Sequence, residues 1–259
     1  MMFVPTEVIG HRGLGRGTVD GLLENTPESF AAAAAAGASW VEVDVRRSAD
    51  DVLLAYHNAA LPDGRLVVDL PAAECRAAGV ATLDEVLDAV PAHVGLDVDV
   101  KTVLEDAVDA PARRTVALLA PYLRRQVRFR RLFVCSFDPS VVLAVREQAP
   151  GVATAWMPFV RNPVDQAVAG AAGLGCELVA IDARSFGLAG EPERPGRRSP
   201  EETVEAAHRA GLRVVSWCPG PADSVRLAAA GMDAVVVDDV PGTVRALAAA
   251  APASARPAG

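Results

Sequence analysis

The sequence predicts an α/β protein, a TIM (β/α)8 barrel, on three observations. Short runs rich in Val, Ile and Leu alternate with Ala-rich amphipathic segments, the order of a parallel sheet wound from strand-helix units. Eight such runs occur (EVIGH, SWVEVDV, HVGLDVDV, RLFVCSF, VATAWM, ELVAID, LRVVSW and DAVVVDD), which is the number that closes a barrel. A length of 259 residues with 51% hydrophobic and 22% charged content fits one large core. The barrel is expected to span residues 1–249. Residues 250–259 lack apolar periodicity and are expected to form a disordered tail.

The first run, EVIGH, ends on His11 and leads into RGLGRGTVDGLLEN at 12–25, a long segment expected on the C-terminal face of the barrel. It is Gly-rich, but it lacks the Gly-Lys-Ser/Thr ending of a phosphate loop and no helix follows it at once. In TPESF, Thr26 is suited to be an N-cap and Pro27 to be the first helical residue, with Ser29 to Ala36 as the body and Gly37 as the stop. The run VLLAYH at 52–57 is separated from the second barrel strand only by RRSADD, and a parallel crossover needs a dozen residues or more. It is therefore expected to pair antiparallel with that strand as a short hairpin extension beyond the rim. Thr82 and Glu85 in TLDEVLDAV form a capping-box pattern. Late in the chain, RSFGLAGEPERPGRR at 184–198 reads either as a lid that meets an anionic group through Arg194, Arg197 and Arg198, or as a solvated insertion.

Composition narrows the function classes. A net charge of −8 argues against a nucleic-acid-binding surface, which needs clustered Lys and Arg. MMFVPTEVIG has no basic stretch followed by a long apolar segment, so neither signal peptide nor membrane anchor is expected, and the location expected is the cytoplasm. No large apolar loop for entering a membrane is apparent, and the oligomeric state stays open. Cys75, Cys135, Cys176 and Cys218 lack zinc-finger or redox spacing and are expected to be buried reduced thiols rather than disulfides.

The chemistry lies in two strands that carry charge where core is expected. Side chains alternate along a strand, so Glu42 and Asp44 share one face of VEVDV, and Asp97, Asp99 and Lys101 share one face of LDVDVK. Carboxylates two residues apart lie about 7 Å from each other, and at an effective dielectric near 20 they repel by roughly 2 to 3 kcal/mol. Such a cluster needs cations. Either it is solvated or paired with Arg46 and Arg47, or it holds a divalent ion beside Lys101; two adjacent strands with the same pattern favour the ion. All-oxygen ligation points to Mg²⁺ or Ca²⁺. His11 and His57 close strand-like runs near these acids and suit general acid and base work near neutral pH. His93 and His208 fall where solvent is expected.

The combined string GHRG, ENTPESF, VEVDV, AYHN, TLDEVL and DVDVK resembles the glycerophosphodiester phosphodiesterase family, a phosphatidylinositol-phosphodiesterase-like barrel. The resemblance continues more weakly in CSFD at 135–138, VVSW at 214–217 and AVVVDD at 234–239. It implies a metal-dependent enzyme that hydrolyses glycerophosphodiesters such as glycerophosphocholine to sn-glycerol 3-phosphate and an alcohol. It also implies the roles: His11 and His57 as the acid and base pair, Arg12 and Lys101 on phosphoryl oxygens, one divalent cation on Glu42, Asp44 and Asp99, and Glu24, Ser136 and Trp217 in contact with substrate. Attack by the neighbouring glycerol hydroxyl would give a cyclic intermediate that water opens.

Three departures from the family pattern stand out. Asn58 follows His57 where Asp is usual, Asp99 is shorter than the usual Glu, and WCPG at 217–220 replaces the usual string after the tryptophan. Trp217 is either an aromatic wall for the alcohol or a core residue. DVDVKT is closer to the sphingomyelinase D and phospholipase D toxins, which leaves open cleavage of a lysolipid headgroup through a cyclic phosphate. A silent barrel that binds phosphate esters is the further alternative.

Overall fold

Eight parallel strands close on themselves in the computed structural model, which describes residues 6–192 and 196–251. They are β1 (Glu7–Gly10), β2 (Trp40–Arg47), β3 (Gly95–Val100), β4 (Leu132–Ser136), β5 (Ala153–Trp156), β6 (Leu178–Asp182), β7 (Arg213–Trp217) and β8 (Ala234–Val237). Each pairs with the next, and β1 closes the ring by pairing with β8 at Ile9 and Val236 and with β2 at Ile9 and Trp40. Residues 1–5 and the expected tail from residue 252 onward lie outside the described residues.

Helices surround the barrel. Among those described, α1 (Pro27–Ala35) is capped by Thr26, whose side chain accepts from Ser29 N. Next come α2 (Ala72–Ala77) and α3 (Leu83–Ala89), and the Thr82–Glu85 capping box of α3 forms in both directions. The chain continues through α4 (Thr115–Gln126), α5 (Pro139–Gln148), α6 (Val164–Gly173), α7 (Pro200–Arg209), α8 (Pro221–Ala229) and α9 (Val240–Ala250). No helix of the described residues is long and apolar enough to cross a membrane.

Strand alternation divides the core in two. Val41, Val43, Val45, Leu96, Val98 and Val100 face outward into the layer under the helices, whereas Ile9, Trp40, Phe133, Leu178, Val215 and Val236 fill the barrel interior. At the bottom, Gly95 leaves room for the indole of Trp40; a Cβ there would lie 2.2 Å from that ring. Above Trp40 on the same faces stand the acids, in register across β2 and β3: Glu42 beside Asp97 and Asp44 beside Asp99.

The hairpin extension forms at the far end of β2. Leu53–Ala55 pairs antiparallel with Val45 to Arg47, beyond the acid-bearing stretch, and carries a second short pairing with Ala81–Thr82. The strand stops at Ala55, so His57 lies two residues past its end rather than closing it. Segment 12–25 contains a further hairpin that the sequence did not announce, Thr18–Val19 against Leu22–Leu23. Gly15 lets this segment lie against the end of β8, because a Cβ at its φ of +151° would stand 2.1 Å from Asp238 O.

Candidate active site

A cavity of about 340 Å³ opens at the C-terminal end of the barrel, and His11, Arg12, Glu42, His57, Asp97, Asp99 and Lys101 are among its lining residues. Asp44 lies directly behind this wall, 1% exposed and surrounded by cations. Its Oδ1 is 2.9 Å from Lys101 Nζ and its Oδ2 is 3.3 Å from Arg12 Nε, while Asn25 Nδ2 donates to Oδ2 at 2.8 Å. Burial pushes this carboxyl up, but Lys101, Arg12, His57 and Asn25 outweigh it and hold the pKa at about 2.

Lys101 also bonds to Asp99. Burial disfavours its ammonium, yet Asp99, Asp44 and Glu42 outweigh burial and keep it charged, with its pKa raised. One layer down, burial drives the Asp97 carboxyl up to about 8, with the Asp99 charge adding to the rise and a Cys135 hydrogen bond opposing it. This rise favours the neutral acid and so opposes the repulsion the sequence pattern implied. Glu42 is likewise raised well above the usual range, first by burial and then by Asp44; its Oε2 accepts from Arg12 N at 2.8 Å.

Arg46 and Arg47 are engaged elsewhere. Arg46 donates to His57 O at 2.9 and 2.7 Å, which fixes the end of the hairpin that carries the histidine. Arg47, 1% exposed, binds Asp109 at 2.5 Å and Asp106 at 3.4 Å and so ties down the loop after β3. The cations in direct contact with the acid cluster are Arg12 and Lys101, and Arg46 acts on Asp44 and Asp99 through its charge alone.

Glu42, Asp44 and Asp99 each bring a carboxylate oxygen within 4.8 Å of the other two. Asp99 Oδ1 is buried with no hydrogen-bond partner. A hard, oxygen-only donor set with such an orphaned oxygen fits a divalent cation of the Mg²⁺ or Ca²⁺ type.

The two histidines differ in their partners. His11 Nδ1 lies 2.7 Å from Asp238 Oδ1 and 3.9 Å from Cys218 Sγ. Burial alone would lower its pKa, but the Asp238 hydrogen bond, then Cys218 and Glu42, raise it well above the ordinary value. His57 Nδ1 meets the amide oxygen of Asn58 at 2.9 Å. Here burial wins, with Lys101 and Arg12 assisting against Asp44 and Asn58, and the pKa is lowered. The two rings are thus driven in opposite directions, His11 toward its imidazolium form and His57 toward the neutral imidazole.

The remaining sequence-derived residues divide. Trp217 lines the cavity, edge-on to Phe137 with ring centroids 5.9 Å apart. Glu24 is not among the lining residues; it accepts from Arg12 Nη1 at 2.9 Å and from Gly17 N, and so orients the arginine. Ser136, the last residue of β4, is 1% exposed and not among the cavity-lining residues; its hydroxyl donates to Val100 O at 2.8 Å and accepts from Asp138 N, bracing the start of the loop that follows. From segment 184–198 it is Arg184 and Ala189 that reach the cavity. Arg198 is bonded to Asp165 on the outside, Arg197 lines a neighbouring hollow with it, and Arg194 lies outside the described residues.

Other residues escaped sequence reasoning. Asp238 and Cys218 sit at the ends of β8 and β7, where a strand-end rule finds them, and Asn25 bonds both the side chain and the backbone N–H of Asp44. All four cysteines are free, but Cys218 is only partly buried. His93 is exposed, as is His208, whose Nε2 bonds Asp233 at 2.8 Å. Leu104, Val108 and Phe159 are 83%, 82% and 75% exposed on segments that follow β3 and β5.

Comparison with known proteins agrees with this geometry. A profile of the Glycerophosphoryl diester phosphodiesterase family matches residues 11–241. Part of the chain is 43% identical over 89 residues to the glycerophosphocholine phosphodiesterase of Eremothecium gossypii, covering 33% of this chain and 6% of that protein. For the enzyme of the same description in Candida albicans the figures are 48% over 73 residues, 26% and 6%. The match thus spans a small fraction of these curated relatives. Among solved structures, one from Silicibacter pomeroyi DSS-3, assigned as a glycerophosphoryl diester phosphodiesterase, superposes with a TM-score of 0.76 at 27% identity over 93% of both chains. An Oleispira antarctica phosphodiesterase in complex with the product sn-glycerol-3-phosphate superposes with a TM-score of 0.73 at 22% identity, over 93% of this chain and 96% of that one. The profile runs unbroken from His11 through the acid cluster and past Asp238, and the chain belongs to the glycerophosphoryl diester phosphodiesterase family.

Proposed function

We propose that the protein hydrolyses glycerophosphodiesters to sn-glycerol 3-phosphate and an alcohol, with a divalent cation and two histidines as acid and base. The observation that carries this reading is that His11 and His57, with opposite pKa shifts, line one cavity with Arg12, Lys101 and two of the three candidate metal ligands. Environments that push two titratable groups apart assign the acid and the base.

His57 donates its Nδ1 proton to the Asn58 amide oxygen, which leaves Nε2 with a lone pair to take a proton from the attacking hydroxyl. His11 gives its Nδ1 proton to the Asp238 carboxylate, so its Nε2–H is the one available to the departing alkoxide. Arg12 and Lys101 face the negative charge that builds on the phosphoryl oxygens. A cation held by Glu42, Asp44 and Asp99 would add charge stabilisation there. When the neighbouring glycerol hydroxyl attacks, the first step leaves His57 protonated and His11 neutral. Water then opens the cyclic phosphate as His11 removes its proton and His57 returns one to the ring oxygen, and both histidines regain their starting states.

Trp217 and Phe137 offer an aromatic wall suited to a choline headgroup. Release of sn-glycerol 3-phosphate from glycerophosphocholine tests the reading. It is expected with Mg²⁺ or Ca²⁺ and abolished by EDTA; undiminished turnover in the chelator overturns the metal role, and no turnover across a panel of glycerophosphodiesters overturns the activity.

The exposed Leu104, Val108 and Phe159 favour a second reading, in which the same site cleaves the headgroup from a lysolipid whose chain lies over these loops. Phosphorus NMR separates the two, because a persistent cyclic phosphate from a lysolipid is the outcome of the second reading alone.

A further inference from the structure

We propose a second metal site in this protein, distinct from the carboxylate trio, in which His11 Nδ1, Cys218 Sγ and Asp238 Oδ1 take a soft divalent ion of the Zn²⁺ type and thereby switch the enzyme off. These three ligand atoms lie within 4.8 Å of one another. Ligands on a common zinc, at about 2.0 to 2.3 Å each, are separated by roughly 3.5 Å. The Nδ1–Sγ distance of 3.9 Å needs almost no adjustment, and the Nδ1–Oδ1 distance of 2.7 Å must open by less than about 1 Å. A nitrogen, a thiolate and one carboxylate oxygen make a donor set that Mg²⁺ and Ca²⁺ disfavour and zinc prefers. The oxygen-only trio of Glu42, Asp44 and Asp99 has the opposite preference, so the two sites sort ions by hardness.

The backbone holds these groups in place. Cys218 stands at a φ of +58°, and its N–H donates to Val236 O at 2.8 Å, which turns the side chain of a residue just past β7 toward the end of β8. Asp238 also accepts from Arg16 N at 3.0 Å, with the Arg16 guanidinium 3.9 Å away, so its carboxylate is already oriented. Cys218 and Asp238 both line the cavity, which leaves the fourth zinc position to water from that side.

On binding, the Nδ1 proton and the thiol proton pass to solvent and zinc stands where the Nδ1 proton bridged to Asp238. His11 then holds its Nε2 proton without being able to exchange it, since release would leave an imidazolate. This consequence rests on the acid role proposed above, whereas the binding does not. Cys218 follows Trp217 where the family pattern has a different string, so the site belongs to this chain's own residues.

Co²⁺ reports thiolate ligation without any turnover. Added to the whole protein in excess Mg²⁺, Co²⁺ is expected to give a saturable sulfur-to-cobalt charge-transfer band in the near ultraviolet. The band is expected to persist in Asp99→Asn and to vanish in Cys218→Ser, with Cys218→Ala as the second variant and circular dichroism confirming the fold. In parallel, Zn²⁺ is expected to inhibit glycerophosphocholine turnover in the presence of Mg²⁺, and Cys218→Ser to raise the zinc concentration for half inhibition roughly ten-fold or more. No band, or a band that survives in Cys218→Ser, overturns the site. A normal band in a protein without diesterase activity upholds the site and instead overturns the proposed function, so the two failures are distinguishable.

Discussion

His11 and His57 line one cavity with different anchors. His11 follows β1 and is held through Nδ1 by the Asp238 carboxylate at the end of β8. His57 lies past a hairpin strand, with its carbonyl clamped by Arg46 and its ring against the neutral, exposed amide of Asn58. Burial works against charge on both rings. The carboxylate overcomes it at one and the amide does not at the other, so the unlike partners drive two chemically identical side chains in opposite directions, as the proposed acid and base roles require. Asn58, which departs from the family pattern, sharpens this asymmetry.

Five substitutions break or refine the comparison, in order of expected size. His11→Ala and His57→Ala each remove a proton carrier and are expected to lower kcat by about 10² to 10⁴-fold, measured by release of sn-glycerol 3-phosphate. Asp238→Asn removes the charge that favours the His11 imidazolium. Because the proposed mechanism needs His11 protonated, activity is expected to fall as pH rises through the His11 pKa, and the variant is expected to lose on the order of ten-fold in kcat with its alkaline limb moved to lower pH. Asn58→Asp places a carboxylate beside His57. The proposed mechanism needs this ring neutral, with activity lost as pH falls through its pKa, so a raised pKa is expected to move the acid limb up by about one pH unit. Trp217→Leu is expected to raise KM for glycerophosphocholine about 2- to 5-fold while leaving a diester with an uncharged alcohol nearly unaffected.

Much of this was legible in the chain. Charges at alternate positions of two strands name their own face, because an unbroken apolar run is what a strand buried on both sides requires, and the register pairs Glu42 with Asp97 and Asp44 with Asp99 accordingly. Capping residues and the short RRSADD connection fixed α1, α3 and the hairpin in the same local way. What stayed hidden depends on closure. Asp238 meets His11 across 227 positions only because β8 pairs with β1. The raised pKa of Asp97 comes from its burial, which spacing does not encode. Ser136 and Glu24 carry the right residue types for substrate contact, but in the fold Ser136, at the end of β4, bonds to backbone and Glu24 bonds to Arg12.

The pH dependence of kcat/KM, measured for the wild type beside Asp238→Asn and Asn58→Asp, tests the asymmetry of the two histidines most directly. The wild type is expected to show a bell with its acid limb below and its alkaline limb above the ordinary histidine value of about 6.5. The two variants are expected to narrow that bell from opposite sides, Asp238→Asn from the alkaline side and Asn58→Asp from the acid side. A profile with a single limb, or two variants that move the same limb, would contradict the assignment of His11 as acid and His57 as base.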